Sequence, residues 1–451
     1  MTEPPDTRPS LIEPEPPVTG PALDESAADS RGIGRMLRRH AVDTRPLAVL
    51  PYRRLLIGQG TSFIGSMLTQ VAVPVQVFAI THSSFYVGLV SLGGLIPLVT
   101  LGIYGGAIAD RVDRRRLTLV SSVIAWMMTV GLLASTLAGL HNVWVILGLV
   151  AVQSGAFAVS SSSRGAIIPR IVPLELVAAA NTLSFTVSTA SGAVGPLLAG
   201  AVVGLHHGFA YAYVIDAVLF SAGLYANLRL PPIPPDPAGR SVSGMRAVGD
   251  GLRFIGARPV LVMSFLVDIC AMVLAMPRSL FPEVAADRFH GSVGLLYAAI
   301  PIGSVIAGLS SGWISRVRRQ GVALVIAIVG WGACVAVSGL VRSLWLVLLL
   351  LAVAGAADLV SAVYRQTILQ TYAPDEMRGR MQGVFTAVVA GGPRLGDLRA
   401  GAMASMTTVT ISWTAGGIAC IAIVAVAGVL VRPFWRYDAQ AEQGEAVASA
   451  V

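Results

Sequence analysis

Twelve long runs of apolar residues form the main pattern along the chain. Each run covers about 20 or more positions with few charges, the length that an α-helix needs to cross about 30 Å of hydrocarbon. Six runs precede a polar, proline-rich stretch and six follow it. They cover residues 55–80, 85–109, 117–140, 143–163, 176–205, 209–228, 259–281, 293–314, 322–341, 344–364, 381–403 and 411–431. The pattern predicts an all-α membrane protein with twelve transmembrane helices in two halves of six.

The same pattern divides the chain into a tail, a bundle, a linker, a second bundle and a second tail. These predicted segments are 1–50, 51–229, 230–258, 259–436 and 437–451. The first tail is rich in Pro, Asp and Glu and lacks the apolar core of a signal peptide, so we expect it to be disordered. Within the linker, the amphipathic residues 245–254 are predicted to lie along the membrane surface.

Composition supports a lipid environment. Apolar residues make up 55% of the chain and charged residues 12%, whereas soluble domains carry about 25% charged residues. All 32 basic residues are Arg, so neither a P-loop Lys nor a Schiff-base Lys exists. The three cysteines, Cys270, Cys334 and Cys420, stand alone in apolar runs. We therefore expect no disulfide, no metal site and no cofactor.

The arginines predict how the chain crosses the membrane. With the N-terminus inside, 27 arginines, Arg365 among them, lie in cytoplasmic segments, and three, including Arg278, lie on the opposite side. This imbalance places both termini in the cytoplasm and the protein in the cell (inner) membrane. It also accounts for the positive charge of the chain without a nucleic-acid partner.

The two halves repeat one another in sequence. A shift of 201 residues aligns 164–201 with 365–402 without a gap, and ten of these 38 positions are identical. Two parallel six-helix repeats are a transporter architecture, with substrate bound near the midplane between halves that rock around it. One copy of the chain suffices for this architecture, so we expect a monomer.

The loop after the second run carries a recognisable motif. Residues 105–116 read GGAIADRVDRRR. This resembles the signature loop of the major facilitator superfamily, Gly-x-x-x-Asp-Arg-x-Gly-Arg-Arg, with Asp113 in place of the second Gly. The resemblance implies the major facilitator fold, with a conformational switch in which the acid of the motif meets the N-terminus of the eleventh helix. The implied switch residues are Gly106, Asp110, Arg111, Arg114, Arg115, Arg378 and Arg380.

Further stretches are similar to one branch of that superfamily. Residues 192–200 read GAVGPLLAG and resemble the Gly-Pro motif of exporters. Small residues there allow close helix contact, and the proline bends the helix. The implied packing residues are Gly192, Gly195, Pro196 and Gly200. Together with residues 62–65, 71–74, 276–282, 374–380 and 391–397, this stretch resembles the branch of enterobactin (siderophore) exporters and macrolide-type efflux pumps.

Four acids lie inside the predicted spans, where an ionisable group costs about 3 kcal/mol or more and suggests a functional role. Asp268 lies about 14 Å into its span, near the midplane of the membrane. We therefore expect Asp268 to be the leading proton-binding acid, with Asp358 and Asp216 behind it. Asp397 shares its span with Arg394 and Arg399, and these three predict an intramembrane charge pair or an outer gate.

The predicted function is proton-coupled export of amphipathic small molecules, such as siderophores or drugs. An importer, a lipid flippase and a transport-dead sensor stay open as alternatives. An intramembrane enzyme is disfavoured because the acids are dispersed and no His lies in a span. Polar and aromatic side chains within the spans are the candidates for substrate contact. They are Gln70, Gln76, Trp126, Gln153 and Phe265.

Overall fold

A computed structural model of the chain describes residues 43–109, 112–164, 167–234, 245–372, 375–431 and 434, and these are mainly helical. Twelve helices, named α1 to α12 here, follow the predicted runs. They are Leu50–Thr81, Ser84–Ala109, Arg114–Leu137, Val143–Arg164, Val177–Val203, Gly208–Leu228, Pro259–Ile269, Val293–Leu309, Gln320–Leu340, Leu344–Tyr372, Asp375–Met406 and Val409–Leu430. Most of the two predicted tails lies outside the described residues.

The all-α membrane fold is confirmed. Within the described residues, ten helical segments are long and apolar enough to cross a membrane, α7 together with the helical turns that follow it. The apolar α8 is shorter, with 17 residues. The long α11 carries three charged residues in its interior and completes the twelve. Because of these charges, α11 is not among the ten segments that are apolar enough to cross a membrane, although it packs against its neighbours as the other helices do.

The seventh span departs from the predicted continuous helix. The α-helix ends at Ile269 and continues as a π-helical turn, Cys270–Leu274, and a short 3-10 turn, Arg278–Leu280, follows. Pro277 has no N–H and disfavours helical backbone before it, so a regular helix cannot run through this point. A second helix, Phe281–Arg288, then follows and packs against α8. The break places Arg278 and Ser279 between α8 and α11, to which they are hydrogen-bonded.

Each half is a bundle of its own. In the first half, α1 packs against α5 and α6, while α4 packs against α2 and α3. In the second half, α10 packs against α8 and α9, while α12 packs against α9 and α11. The halves meet mainly through two helix pairs, α2 with α11 and α5 with α8.

Glycines of the sequence repeat make equivalent contacts in the two halves. Gly200 of α5 lies against the backbone of Gly294 at the start of α8. Its repeat mate Gly401, on α11, lies against the backbone of Ser84 and Phe85 at the start of α2. A Cβ at either glycine would collide with backbone, so close approach of the halves requires glycine at both positions.

The linker contains the helix Met245–Gly256, which begins with the predicted amphipathic segment 245–254 and ends two residues beyond it. After it, the guanidinium of Arg258 lies 3.5 Å from the centre of the Phe254 ring. Such a cation–π contact fixes the chain where it turns from the surface into α7.

Candidate functional site

A cavity of about 490 Å³ lies between the two halves. All six helices of the first half line it, together with α8, α11 and the segment after α7. One end of the cavity lies at Val87 and Tyr297, beside the glycine contacts that join the halves. The other end reaches Gln59, early in α1, and Asn227, near the end of α6. The cavity therefore extends toward the side of the bundle on which the described chain begins.

Two of the five predicted substrate contacts line this cavity, namely Gln70 and Gln153. The other three have different roles. Gln76 donates to the Thr136 hydroxyl (3.0 Å) and accepts from the Tyr213 hydroxyl (2.6 Å). The amide side chain thus holds α1 to α3 and α6.

Trp126 and Phe265 also lie away from the cavity lining. The Trp126 indole N–H donates to the carbonyl of Ala217 at 2.9 Å, which ties α3 to α6. The Phe265 ring packs edge-on against Phe385, with 6.2 Å between ring centres. Both residues stabilise helix packing, because their faces are turned to neighbouring helices.

Asp216 lies fully buried at the centre of the first half. The hydroxyl of Thr69 donates to its Oδ2 at 2.5 Å, and the hydroxyl of Thr129 donates to the same atom at 3.4 Å. Gln153 in turn donates to the Thr129 hydroxyl at 3.0 Å. Because Gln153 and Thr69 line the cavity, this network connects the buried carboxylate with the cavity.

Asp268 forms an ion pair with Arg365, a contact that the sequence did not reveal. Both residues are buried, at 2% and 4% exposure. Arg365, predicted to lie in a cytoplasmic segment, instead lies inside α10, which continues eight residues beyond the predicted span. Another nitrogen of Arg365 lies 3.7 Å from a carboxylate oxygen of Asp358, two helical turns earlier. One guanidinium therefore serves two carboxylates.

The three charged residues in the interior of α11, Arg394, Asp397 and Arg399, do not form a direct ion pair with one another in the described chain. Asp397 accepts from the Ser91 hydroxyl (3.0 Å) and from the Ser279 backbone N–H (3.1 Å). Arg394 donates to the carbonyl of Gly94 at 2.6 Å. All three partners lie outside α11, so these charged side chains hold α11 to α2 and to the segment after α7.

Arg399 has a separate role from the other two. It donates to the backbone carbonyls of Val273 and Ser412, both at 3.2 Å. These bonds tie α11 to the π-helical turn and to α12, behind the cavity.

Arg278 and Glu283 were not predicted as site residues. Arg278 lines the cavity, although the arginine count placed it on the far side of the membrane. Glu283 accepts a hydrogen bond from the Ser84 hydroxyl across the two halves. Proline residues 277 and 282 were the sequence signal that the chain bends here, but the pattern does not show where the bend points the side chains.

The switch motif is described only in part. Asp110 and Arg111 lie outside the described residues, as do the surroundings of Gly106 and the side chains of Arg378 and Arg380. Arg114 is the first residue of α3. Arg115 donates to the carbonyl of Leu228 at 2.7 Å, which fixes the motif loop to the end of α6.

Asp113, which departs from the family pattern, has a defined structural role. Its side chain caps α3 by accepting from the backbone N–H of Arg116 at 3.1 Å. Its second oxygen accepts from the backbone N–H of Ile233 in the linker, also at 3.1 Å. The carboxylate therefore stabilises the helix start and anchors the linker.

The packing motif of α5 serves both the cavity and the interface. Gly192 and Pro196 line the cavity, whereas Gly195 lies against the side chain of Met67 on α1. Its repeat mate Gly396 lies against the backbone carbonyl of Met272 and the side chain of Met276 after α7, so a methionine side chain packs on this glycine in each half.

Comparisons with known proteins agree with this architecture. A family model described as transmembrane secretion effector matches residues 42–446. The enterobactin exporters EntS of Citrobacter koseri and Escherichia coli are 28% and 29% identical to the chain over 377 residues, which cover 82% of this chain and 89% of theirs.

Two solved structures share the fold at low sequence identity. The nucleoside transporter NupG aligns with a TM-score of 0.68 at 14% identity, over 86% of this chain and 100% of its own. A bacterial homologue of the human lysosomal transporter Spinster, inward-facing and unoccupied, aligns with a TM-score of 0.64 at 17% identity, over 89% and 98%.

Proposed function

The chain belongs to the transmembrane secretion effector family of the major facilitator superfamily, and on this basis we propose that it is a proton-coupled exporter of amphipathic small molecules. It is a multi-pass membrane transporter and not an enzyme. The relatives named enterobactin exporters support export as the direction and siderophore-like molecules as the cargo. The observation that carries the proposal is a cavity between two halves that are in contact at one of its ends.

Alternating access requires a central site that opens to one side at a time. Contacts of Gly200 and Gly401 join the halves at one end, and the cavity extends toward the other. In the predicted orientation, with both termini in the cytoplasm, the joined end faces outward and the cavity faces the cytoplasm. An exporter loads its cargo from that side.

The pair of carboxylates around Arg365 is the proposed proton-coupling site. Asp268 and Asp358 with one guanidinium carry one net negative charge when both acids are ionised. An unbalanced charge within a membrane is costly, and one proton would make the cluster neutral. When one acid is protonated, Arg365 would remain paired with the other acid, which is still ionised. Asp216, connected to the cavity through Gln153, is the second candidate.

Dye transport in inverted membrane vesicles tests the proposal. A proton gradient, acid inside, should drive uptake of a fluorescent amphipathic dye into vesicles that contain the protein. Asp268→Asn and Asp358→Asn should each keep dye exchange between the two sides but lose the response to the gradient, because the variants cannot release a proton. Uptake is followed by fluorescence with and without a protonophore.

Asp287→Asn is the matched control, because this carboxylate is exposed on the helix Phe281–Arg288. It should leave the gradient response unchanged. If both buried variants still respond to the gradient as the unaltered protein does, the cluster is not the coupling site. Gradient-driven movement in the opposite direction would identify an importer.

A further inference from the structure

Positive charge is concentrated at one end of the cavity. Arg278 and Arg394 both line it, and Asp397 is the one acid among its described lining residues. These three residues lie beside Ser279 and Tyr297, at the end where Ser91 of the first half donates to Asp397 of the second. The charges of these three lining residues therefore sum to one positive charge.

The backbone of Arg278 is held firmly while its guanidinium is left available. The Tyr297 hydroxyl donates to the carbonyl of Arg278 at 3.0 Å. The next residue, Ser279, donates its hydroxyl to the carbonyl of Asp397 at 2.7 Å. Within the described chain, however, the guanidinium itself forms no hydrogen bond and no direct ion pair. An arginine fixed at its backbone and unpaired at its tip is preorganised to receive a ligand.

Asp397 does not neutralise this charge by direct pairing. Its two oxygens already accept from Ser91 and from the Ser279 backbone. Arg394 uses one nitrogen for the Gly94 carbonyl, which leaves its other donors for a ligand. Two guanidiniums beside one carboxylate leave one positive charge unbalanced in a cavity at membrane depth, which is costly, so an anionic group gains energy by binding there.

We propose that Arg278 and Arg394 form an anion-binding subsite, and that the transported molecule is an amphipath that carries an acidic group. The remainder of the cavity suits the rest of such a molecule. Phe63, Phe157 and Phe220 provide aromatic surface, and the amides of Gln70 and Gln153 provide hydrogen-bonding groups. This inference rests on the proposed function in one respect only, namely that the cargo passes through this cavity.

Binding of two dyes with the same ring system but opposite charge tests the inference. Fluorescein is anionic and rhodamine 123 is cationic, and both are built on a xanthene ring. Their affinity for the purified full chain in lipid nanodiscs is measured by fluorescence anisotropy. The unaltered protein should bind fluorescein more tightly than rhodamine 123.

Substitutions at the arginine separate charge from packing. Arg278→Gln should weaken fluorescein binding by about tenfold or more, the loss of a charge-assisted contact worth about 1.4 kcal/mol, and should not weaken rhodamine 123 binding. Arg278→Lys keeps the charge and should retain the preference for fluorescein. Arg399→Gln is the matched control, because Arg399 bonds to backbone behind the cavity, and it should leave the preference unchanged.

Three results would overturn the inference: no binding of fluorescein, a preference for rhodamine 123, or an equal loss of both dyes in Arg278→Gln. A folding defect is recognised by size-exclusion chromatography and by the melting temperature of each variant. Dye binding is measured without a gradient, so its outcome is independent of whether transport is proton-driven export. Gradient-driven transport of rhodamine 123 alone would support the proposed function and reject the anion subsite.

Discussion

Buried charged residues were visible in the sequence, but their partners were not. An acid within an apolar run stands out by itself, so Asp216, Asp268, Asp358 and Asp397 could be named from the pattern alone. Their partners depend on how each helix is rotated about its axis, and hydroxyl residues are common in such helices. Arg365 was assigned to a loop because the apolar run ends at Tyr364, whereas the helix continues to Tyr372.

The bond between Thr69 and Asp216 gives a prediction at this scale. Thr69→Val removes the shorter of the two hydroxyl bonds to a fully buried carboxylate. It should lower the free energy of unfolding by about 1–3 kcal/mol, the cost of a buried polar group that loses its partner. Unfolding in mixed micelles measures this loss.

Thr61→Val on the same helix is the control. Its hydroxyl bonds only to carbonyls of its own helix, at Ile57 and Gly58, so stability should change little. Equal losses of unfolding free energy in the two variants would mean that the hydrogen bond from Thr69 does not stabilise the buried carboxylate.

At the scale of the helix, length and composition predicted where most spans lie but not how they end or bend. The seventh run reads as one apolar stretch, yet its helix changes to a π turn at Cys270 and breaks before Arg278. Apolarity does not distinguish a continuous helix from a broken one, because both bury the same side chains. At the Gly-Pro motif of α5, where close helix contact is predicted, Gly195 lies against Met67 and Gly200 against the backbone of Gly294.

Two glycines of α5 differ in what a methyl group would meet. At Gly200 a Cβ would collide with the backbone of Gly294, whereas at Gly192 the nearest atom is a carbon of Phe63 at 3.9 Å. Gly200→Ala should therefore separate α5 from α8, at a cost of about 1–3 kcal/mol, and reduce transport. Gly192→Ala should leave transport and melting temperature close to those of the unaltered protein. The same effect in both variants would show that contact at the interface is not the reason for glycine at 200.

For the whole molecule, the repeat in sequence predicted two equivalent halves, and the structure pairs the repeated glycines with equivalent partners. Gly195 lies against the side chain of Met67 in α1, and Gly396 lies against Met272 and Met276 of the seventh span. A sequence repeat indicates that the two halves are alike, but it does not show to which side of the membrane the cavity opens. The same two bundles are present whether the cavity opens inward or outward. Which end is joined is read from contacts such as that of Ser84 with Glu283.

If the halves rock against each other, fixing them together at the joined end should stop transport. Ser84 lies at the start of α2, and Glu283 follows α7 in the other half. In a background without the three native cysteines, Ser84→Cys with Glu283→Cys should lose dye transport when a short bifunctional thiol reagent links the pair, and recover it when the link is cleaved. Gln76→Cys with Thr136→Cys is the control, because this hydrogen-bonded pair (3.0 Å) joins two helices of one half and does not line the cavity. Linking it should leave transport intact, since each half moves as a unit. Full transport with the first pair linked would contradict alternating access by movement at this end, whereas loss of transport in both pairs would show that the halves themselves must deform.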